Sequence, residues 1–95
     1  MFIIQLTYTR PLAEVDQLLD GHRQFLEKYY AAGIFLVSGR KQPRTGGVIL
    51  ARAESAEKLQ KIIAEDPFNR QGVAEYHITE FLPTMAGEAL QFLIQ

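Results

Sequence analysis

The chain predicts an α+β domain of ferredoxin-like type, βαββαβ, with a four-stranded antiparallel sheet and two helices on one face. Three observations carry this. Apolar residues recur at every second position in four stretches and at every third or fourth position in two others. The stretches follow one another in the order β-α-β-β-α-β, and glycine or proline falls at most of the changes of period.

Phe2 to Tyr8 alternates, with Phe2, Ile4, Leu6 and Tyr8 on one side and Ile3, Gln5 and Thr7 on the other, which predicts the first strand. Arg10-Pro11 ends it. From about Pro11 the period lengthens, and Val15, Leu18, Leu19, Phe25, Leu26 and Tyr29 fall on one side of a single helix that Gly33 ends. Ile34 to Gly39 is the second strand. It is apolar on both faces, with Ile34 and Leu36 on one and Phe35 and Val37 on the other, which predicts a central or doubly covered position. The polar stretch Lys41 to Thr45 contains Pro43, and Gly46-Gly47 then leads into a third strand, Val48 to Ala53, as a hairpin with a longer loop. Ser55 is the cap of the second helix; Lys58 rather than an acid stands three residues on, so the capping box is incomplete. Leu59, Ile62 and Ile63 mark that helix's apolar face. It is expected to stop at about Asp66, because a residue before proline disfavours the helical region. Asn69 to Gly72 turns the chain into a fourth strand, Val73 to Leu82, with Tyr76 and Ile78 on one face and Val73 and Phe81 on the other, ended by Pro83.

The domain is thus expected to span residues 1–83, followed by a helical tail over 84–95. Leu90, Phe92, Leu93 and Ile94 make that tail too apolar to float free, so it should cover its own sheet edge or a partner subunit. Helices on one side leave the other sheet face bare. Apolar residues on both faces of several strands therefore predict a homodimer, sheet against sheet.

A chain of 95 residues makes one domain and buries only roughly 60–65% of its unfolded surface. Its 47% hydrophobic content, with six Phe and four Tyr, excludes a disordered chain. Ten basic against eleven acidic residues leave a formal charge of −1, too little to recruit nucleic acid or an anionic membrane. With no cysteine there is neither a disulfide framework nor a thiolate metal site. No apolar run reaches the roughly 18 residues of a membrane span, and Met1 to Tyr8 lacks the features of a signal peptide, so a cytoplasmic location is the default expectation. Two histidines without cysteine predict no metal, and Gly46-Gly47 opens a strand rather than a helix, so no phosphate loop and no cofactor are expected.

The chemistry centres on Asp66-Pro67-Phe68. Asp66 continues the apolar face of the second helix, and a carboxylate aimed that way costs several kcal/mol unless a partner meets it. The partner is His22, which lies among Val15, Leu18, Leu19, Phe25, Leu26 and Tyr29 on the first helix. An imidazole takes and gives protons near neutral pH, and a carboxylate orients it and stabilises its charged form. The competing reading is a satisfied core histidine beside an acid bonded to local backbone. Ser38 can offer a hydroxyl to a ligand, and Tyr8 a phenol. Phe68 is either a plug over the pocket or a stacking ring. Arg23 lies about 100° round the helix from His22 and should reach the edge or solvent. A Ser38-His22-Asp66 hydrolase would lack the nucleophile-elbow motif. His77, between Glu75 and Thr79, has no ligand set.

His22-Arg23 followed by Phe25-Leu26, then Gly33, Ser38-Gly39, Gly46-Gly47 and Asp66-Pro67-Phe68, resembles the YCII-related family of small α+β proteins over Phe2 to about Leu82. The resemblance implies a ferredoxin-like fold dimerised as in the dimeric α/β barrels, with an active site containing His22 and Asp66. One branch of that family is associated with dehydrochlorination of chlorinated aromatic-pathway intermediates, and the wider fold group includes lactone isomerases and small monooxygenases. This chain departs from the family pattern after Ser38-Gly39. There a proline is frequent, whereas here Arg40-Lys41-Gln42 precedes Pro43, so Arg40 or Arg44 either meets an anionic substrate or belongs to a solvated loop.

The reading is a small dimeric enzyme using His22 and Asp66 for proton transfer on a small carboxylated or cyclic substrate, as a lyase, isomerase or hydrolase without redox cofactor. The alternative is a non-catalytic module that binds a small ligand or a protein, with a structural or pH-sensing His-Asp pair. A third is an assembly subunit that uses the apolar tail.

Overall fold

A computed structural model describes residues 1–94, and the first strand sets its centre. β1 (Phe2–Tyr8) pairs antiparallel with β3 (Gly46–Ala51) on one side and β4 (Ala74–Glu80) on the other. β2 (Phe35–Arg40) pairs outside β3, giving the order β2-β3-β1-β4. This is the ferredoxin-like α+β fold. Phe2, Ile4 and Leu6 point into the core, as the period of two requires, and meet Phe25, Tyr29, Phe35, Ile49, Leu59, Ile63 and Phe68. Each large side chain so buried contributes about 1.5–3 kcal/mol, so one shared layer holds the helices to the sheet.

The expected first helix is two. α1 (Leu12–Gln17) and α2 (Leu19–Ala31) are separated at Leu18, whose φ of −103° and ψ of 2° fall outside the helical region. The apolar spacing persists across the break, which is why periodicity alone reads through it. Gly33 ends α2 in the left-handed region at φ 75°. There its N–H and that of Ile34 bond back to Tyr30 and Tyr29, a closure that favours glycine.

α3 (Ala56–Ile63) starts where expected, with Ser55 Oγ accepting from Lys58 N–H at 3.1 Å. It stops three residues short of Asp66. Asp66 instead caps a further one-turn helix, α4 (Pro67–Arg70), accepting from Phe68 N–H at 3.0 Å with Pro67 as the first helical residue. Asp-Pro is thus a helix start, the acid supplying the cap and the proline a preset φ.

β2 carries a bulge between Phe35 and Val37, which pair with Ala51 and Leu50 respectively. Simple alternation would put those two on the same face. The extra residue separates them, so Phe35 is buried in the core and Val37 is 58% exposed on the open face. Beyond the bulge, Ser38 pairs with Ile49 and so faces the helices. Among the described residues the open face is apolar on β2, β3 and the start of β1, through Val37, Val48, Leu50 and Ile3. β4 offers Glu75, His77 and Thr79 there, because Val73 lies in the core and Phe81 beyond the strand.

The tail reading reaches Gln95, which lies outside the described residues. Before it, Glu88–Leu93 forms a 3₁₀ helix that buries Leu93 and sets the Phe92 ring 6.0 Å from the Arg52 guanidinium. Met85 and Leu82 remain exposed. Among the described residues no helix is long and apolar enough to cross a membrane.

Candidate functional site

Asp66 is the one fully buried acid among the described residues, at 0% exposure, and its neighbours explain how it is tolerated. Its carboxylate accepts from Phe68 N–H at 3.0 Å, from the Tyr76 hydroxyl at 2.5 Å, and from His22 Nδ1 at 2.9 and 3.0 Å to its two oxygens. Three elements therefore converge on it: the start of α4 through its own cap, β4 through Tyr76 and α2 through His22. All its partners can donate, which suits an ionised carboxylate that can only accept. Burial pushes the Tyr76 phenol well above its ordinary 10.0, and the Asp66 charge adds to this. Tyr76 is therefore a neutral donor at physiological pH.

Because the carboxylate takes Nδ1–H, a neutral His22 carries its lone pair on Nε2. Phe68 fixes the plane of the ring. Its phenyl stacks on the imidazole at 4.0 Å between centroids and 8° between planes, while Tyr8 meets Phe68 edge-on at 5.9 Å. One residue pair thus sets the ring's edge and face together, since Asp66 also holds the Phe68 backbone. Close approach of α2 to α4 comes from Gly21, where a Cβ would lie 3.0 Å from Pro67 Cγ. The His22 side chain keeps 13% of its surface exposed. Nε2 has no hydrogen-bond partner among the described residues, and no buried side-chain nitrogen or oxygen there is unpaired, so Nε2 is the open edge.

That edge borders a cavity of about 330 Å³. Leu19 and Leu26 from α2 and Ile49 from β3 give apolar walls; His22, Tyr8 and Ser38 are polar; Arg23, Arg40 and Arg44 supply cationic groups. Arg44 is tied to Asp16 at 2.5 Å and lies 6.0 Å from the Tyr8 ring centre, linking the hairpin loop to α1. Arg23, expected at the edge or in solvent, is 65% exposed, lies 3.9 Å from Asp20 and also borders the cavity.

The structure therefore brings together His22, Asp66, Tyr8, Ser38, Arg40 and, beneath the imidazole, Phe68. Phe68 is 1% exposed and does not line the cavity, so it meets the histidine rather than open space. Ser38 Oγ is hydrogen-bonded to the Tyr30 hydroxyl, and no bond joins it to His22, so no Ser-His-Asp relay is assembled. His77 lies on the opposite sheet face, across from Gln5. Sequence reasoning missed Tyr76 and Gly21. Tyr76 was legible in principle, since a tyrosine on the helix-facing side of a strand needs a partner for its hydroxyl. Gly21 carried no signal, because its role depends on where α4 passes.

A second polar cluster ties α2 to the end of α3. Lys28 Nζ meets Glu65 at 2.7 Å, and the Tyr29 hydroxyl donates to the same carboxylate. The Lys28 ammonium, with Tyr29 second, holds the Glu65 carboxyl below its ordinary 4.5.

Comparison with known proteins agrees with this architecture. A family model described as the YCII-related domain matches residues 1–82. No curated protein matches the chain. Among solved structures, the chain is similar to 5-chloro-2-hydroxyhydroquinone dehydrochlorinase from Burkholderia phenoliruptrix in complex with 2,5-dihydroxybenzoquinone. The TM-score is 0.71 and the identity 20%, over 85% of this chain and 93% of that one.

Proposed function

The chain belongs to the YCII-related family, and on that premise we propose that it is a small enzyme performing cofactor-independent acid-base chemistry on a small cyclic organic substrate. The observation that carries this is an imidazole with one nitrogen fixed by a buried carboxylate and the other open to a cavity of ligand size. In this reading Nε2 of His22 is the general base. It takes a proton from an O–H or C–H of the substrate, and the electron pair of that bond moves into the substrate's π system. A leaving group then departs with its own pair, or the proton returns at another carbon. Neither outcome needs an oxidant. Asp66 stabilises the imidazolium, and Tyr76 keeps the carboxylate in place. A positioned base contributes roughly 10²–10⁴ in rate. The dehydrochlorinase holding a dihydroxybenzoquinone supports a lyase with a six-membered-ring substrate, and Tyr8, Ser38 and Arg40 would contact that ring.

The test is a panel of chlorinated and unchlorinated hydroxyhydroquinones, followed by chloride release and by solvent-deuterium uptake in NMR. Wild type should turn over at least one compound, with His22→Gln reduced by roughly 10²–10⁴ at an unchanged fold. Undiminished turnover in His22→Gln would falsify the base assignment; binding without turnover would favour the ligand-binding module.

The apolar part of the open sheet face, Ile3, Val37, Val48 and Leu50, supports a dimer through that surface. Sedimentation should show a dimer that Val37→Asp dissociates; a wild-type monomer at high concentration would end this part of the proposal. The cytoplasm remains the proposed location.

A further inference from the structure

We propose that the cavity beside His22 takes a monocyclic organic anion, and that Arg40 is the side chain that selects its charge. The inference deepens the acid-base reading and rests on it only for what happens after binding. Its first support is charge. Among the described residues three arginines border the cavity and no acidic residue does. The molecule as a whole is at −1, so this excess of positive charge is local. A concave, partly apolar recess concentrates such a field.

The three arginines are not equivalent. Arg44 is neutralised by Asp16 at 2.5 Å, and Arg23 has Asp20 at 3.9 Å on its own helix. Arg40 has no carboxylate within salt-bridge distance among the described residues. Its direction is set by the strand. Ser38, two residues earlier, pairs with Ile49 on the helix-facing side, so Arg40 emerges on that side too. Lys41 follows on the other face, where its ammonium bonds the Thr7 hydroxyl at 3.3 Å. An unpaired guanidinium is a planar fork suited to two oxygens of one carboxylate or to a phenolate.

Size and wall chemistry define the rest of the ligand. A volume of about 330 Å³ is near the small end of ligand cavities, which run roughly 300–1,000 Å³. It accommodates one substituted six-membered ring. Leu19, Leu26 and Ile49, which line the same cavity as His22 and Arg40, give that ring an apolar seat. Ser38 is held by Tyr30 at the same wall.

Benzoate and benzamide have the same shape and differ in charge, so they serve as the probe pair. Each is titrated into the intact chain while backbone amides of Ser38, Gly39 and His22 are followed by NMR. Wild type is expected to bind benzoate roughly 10- to 100-fold more tightly than benzamide, the range for a hydrogen bond to a charged group. Arg40→Gln should erase that preference by bringing benzoate binding down to the level of benzamide, Arg40→Lys should restore part of it, and Lys41→Gln on the opposite face should leave the preference as in wild type. Arg40 lies at an exposed strand end, and thermal melts of each variant confirm the fold. Equal affinity for the two probes, no shifts with benzoate up to its solubility limit, or a preference that survives Arg40→Gln overturns the proposal. His22→Gln separates the two readings. Charge preference kept in wild type and His22→Gln, with neither turning over any substrate, sinks the acid-base reading alone. Turnover without charge preference sinks this one alone.

Discussion

Replacing Asp66 by asparagine exchanges one oxygen for an NH₂ group at nearly constant volume, at a position with no solvent contact. Three donor groups share the carboxylate, and an amide has one accepting oxygen. The Phe68 N–H is fixed by the backbone of α4, so the amide oxygen should stay there and the NH₂ should turn toward Tyr76 and His22. The Tyr76 hydroxyl can rotate and accept. His22 can accept only by moving its proton from Nδ1 to Nε2, which closes the edge facing the cavity. Hydrogen bonds to a charged group are worth about 1.5–3 kcal/mol and neutral ones about 0.5–1.5. The exchange at two side-chain partners therefore costs about 2 kcal/mol, or roughly 10 °C in a domain of this size. Thermal melts measure the first effect, and long-range ¹⁵N–¹H spectra of the imidazoles, with His77 as internal reference, report which ring nitrogen carries the proton. Wild type should show Nδ1–H and Asp66→Asn should show Nε2–H together with lost turnover. If the variant melts with wild type and keeps Nδ1–H, the carboxylate does not orient this ring.

Other expectations follow from neighbouring contacts. Tyr76→Phe should lose about 1.5–3 kcal/mol by removing the bond to Asp66. Since its phenol is raised, wild-type stability is full below the unfolded value near 10 and falls as pH rises beyond it, by about 1.4 kcal/mol per unit; the variant's alkaline limb in a pH series of melts should be flatter, and identical limbs would refute the point. Glu65 has the opposite sign: its carboxyl is depressed, so its contribution is full above 4.5 and drains as pH falls, and Glu65→Gln should narrow the difference between melts at neutral and at acidic pH. Gly21→Ala should gain helix propensity of up to about 1 kcal/mol while its methyl, 3.0 Å from Pro67 Cγ, pushes α2 off α4. Turnover should fall with little change in melting, and full activity would show that the helices absorb the methyl.

The βαββαβ order and the pairing of His22 with Asp66 were legible because each rests on period or on the cost of a buried charge, whereas the side on which Ser38 and Arg40 emerge follows from the β2 bulge. What stayed hidden depends on nonlocal geometry. The break at Leu18 leaves the apolar spacing intact, so nothing in the period marks it. Asp66-Pro67 reads equally as a stop or a start until Phe68 N–H is seen to need a cap. Phe68 looked like either plug or stacking ring; its partner is the imidazole itself, 4.0 Å away. Gly21 needed the path of α4.

The bulge in β2 acts as a parity switch for everything that follows it in the strand. Phe35 opposite Ala51 and Val37 opposite Leu50 behave as consecutive rungs although a residue lies between them. Counting rungs instead of residues, Ser38 and Arg40 are even and face the cavity, while Val37 and Gly39 are odd and face outward. Losing Leu36 would leave every later residue on its present rung. Gaining one residue between Val37 and Arg40 without a second bulge would instead invert the parity of Arg40, sending it to the open sheet face. A loss of one residue at the bulge and a gain of one after it thus differ completely: the first regularises the ladder, and the second takes the Arg40 guanidinium away from the imidazole.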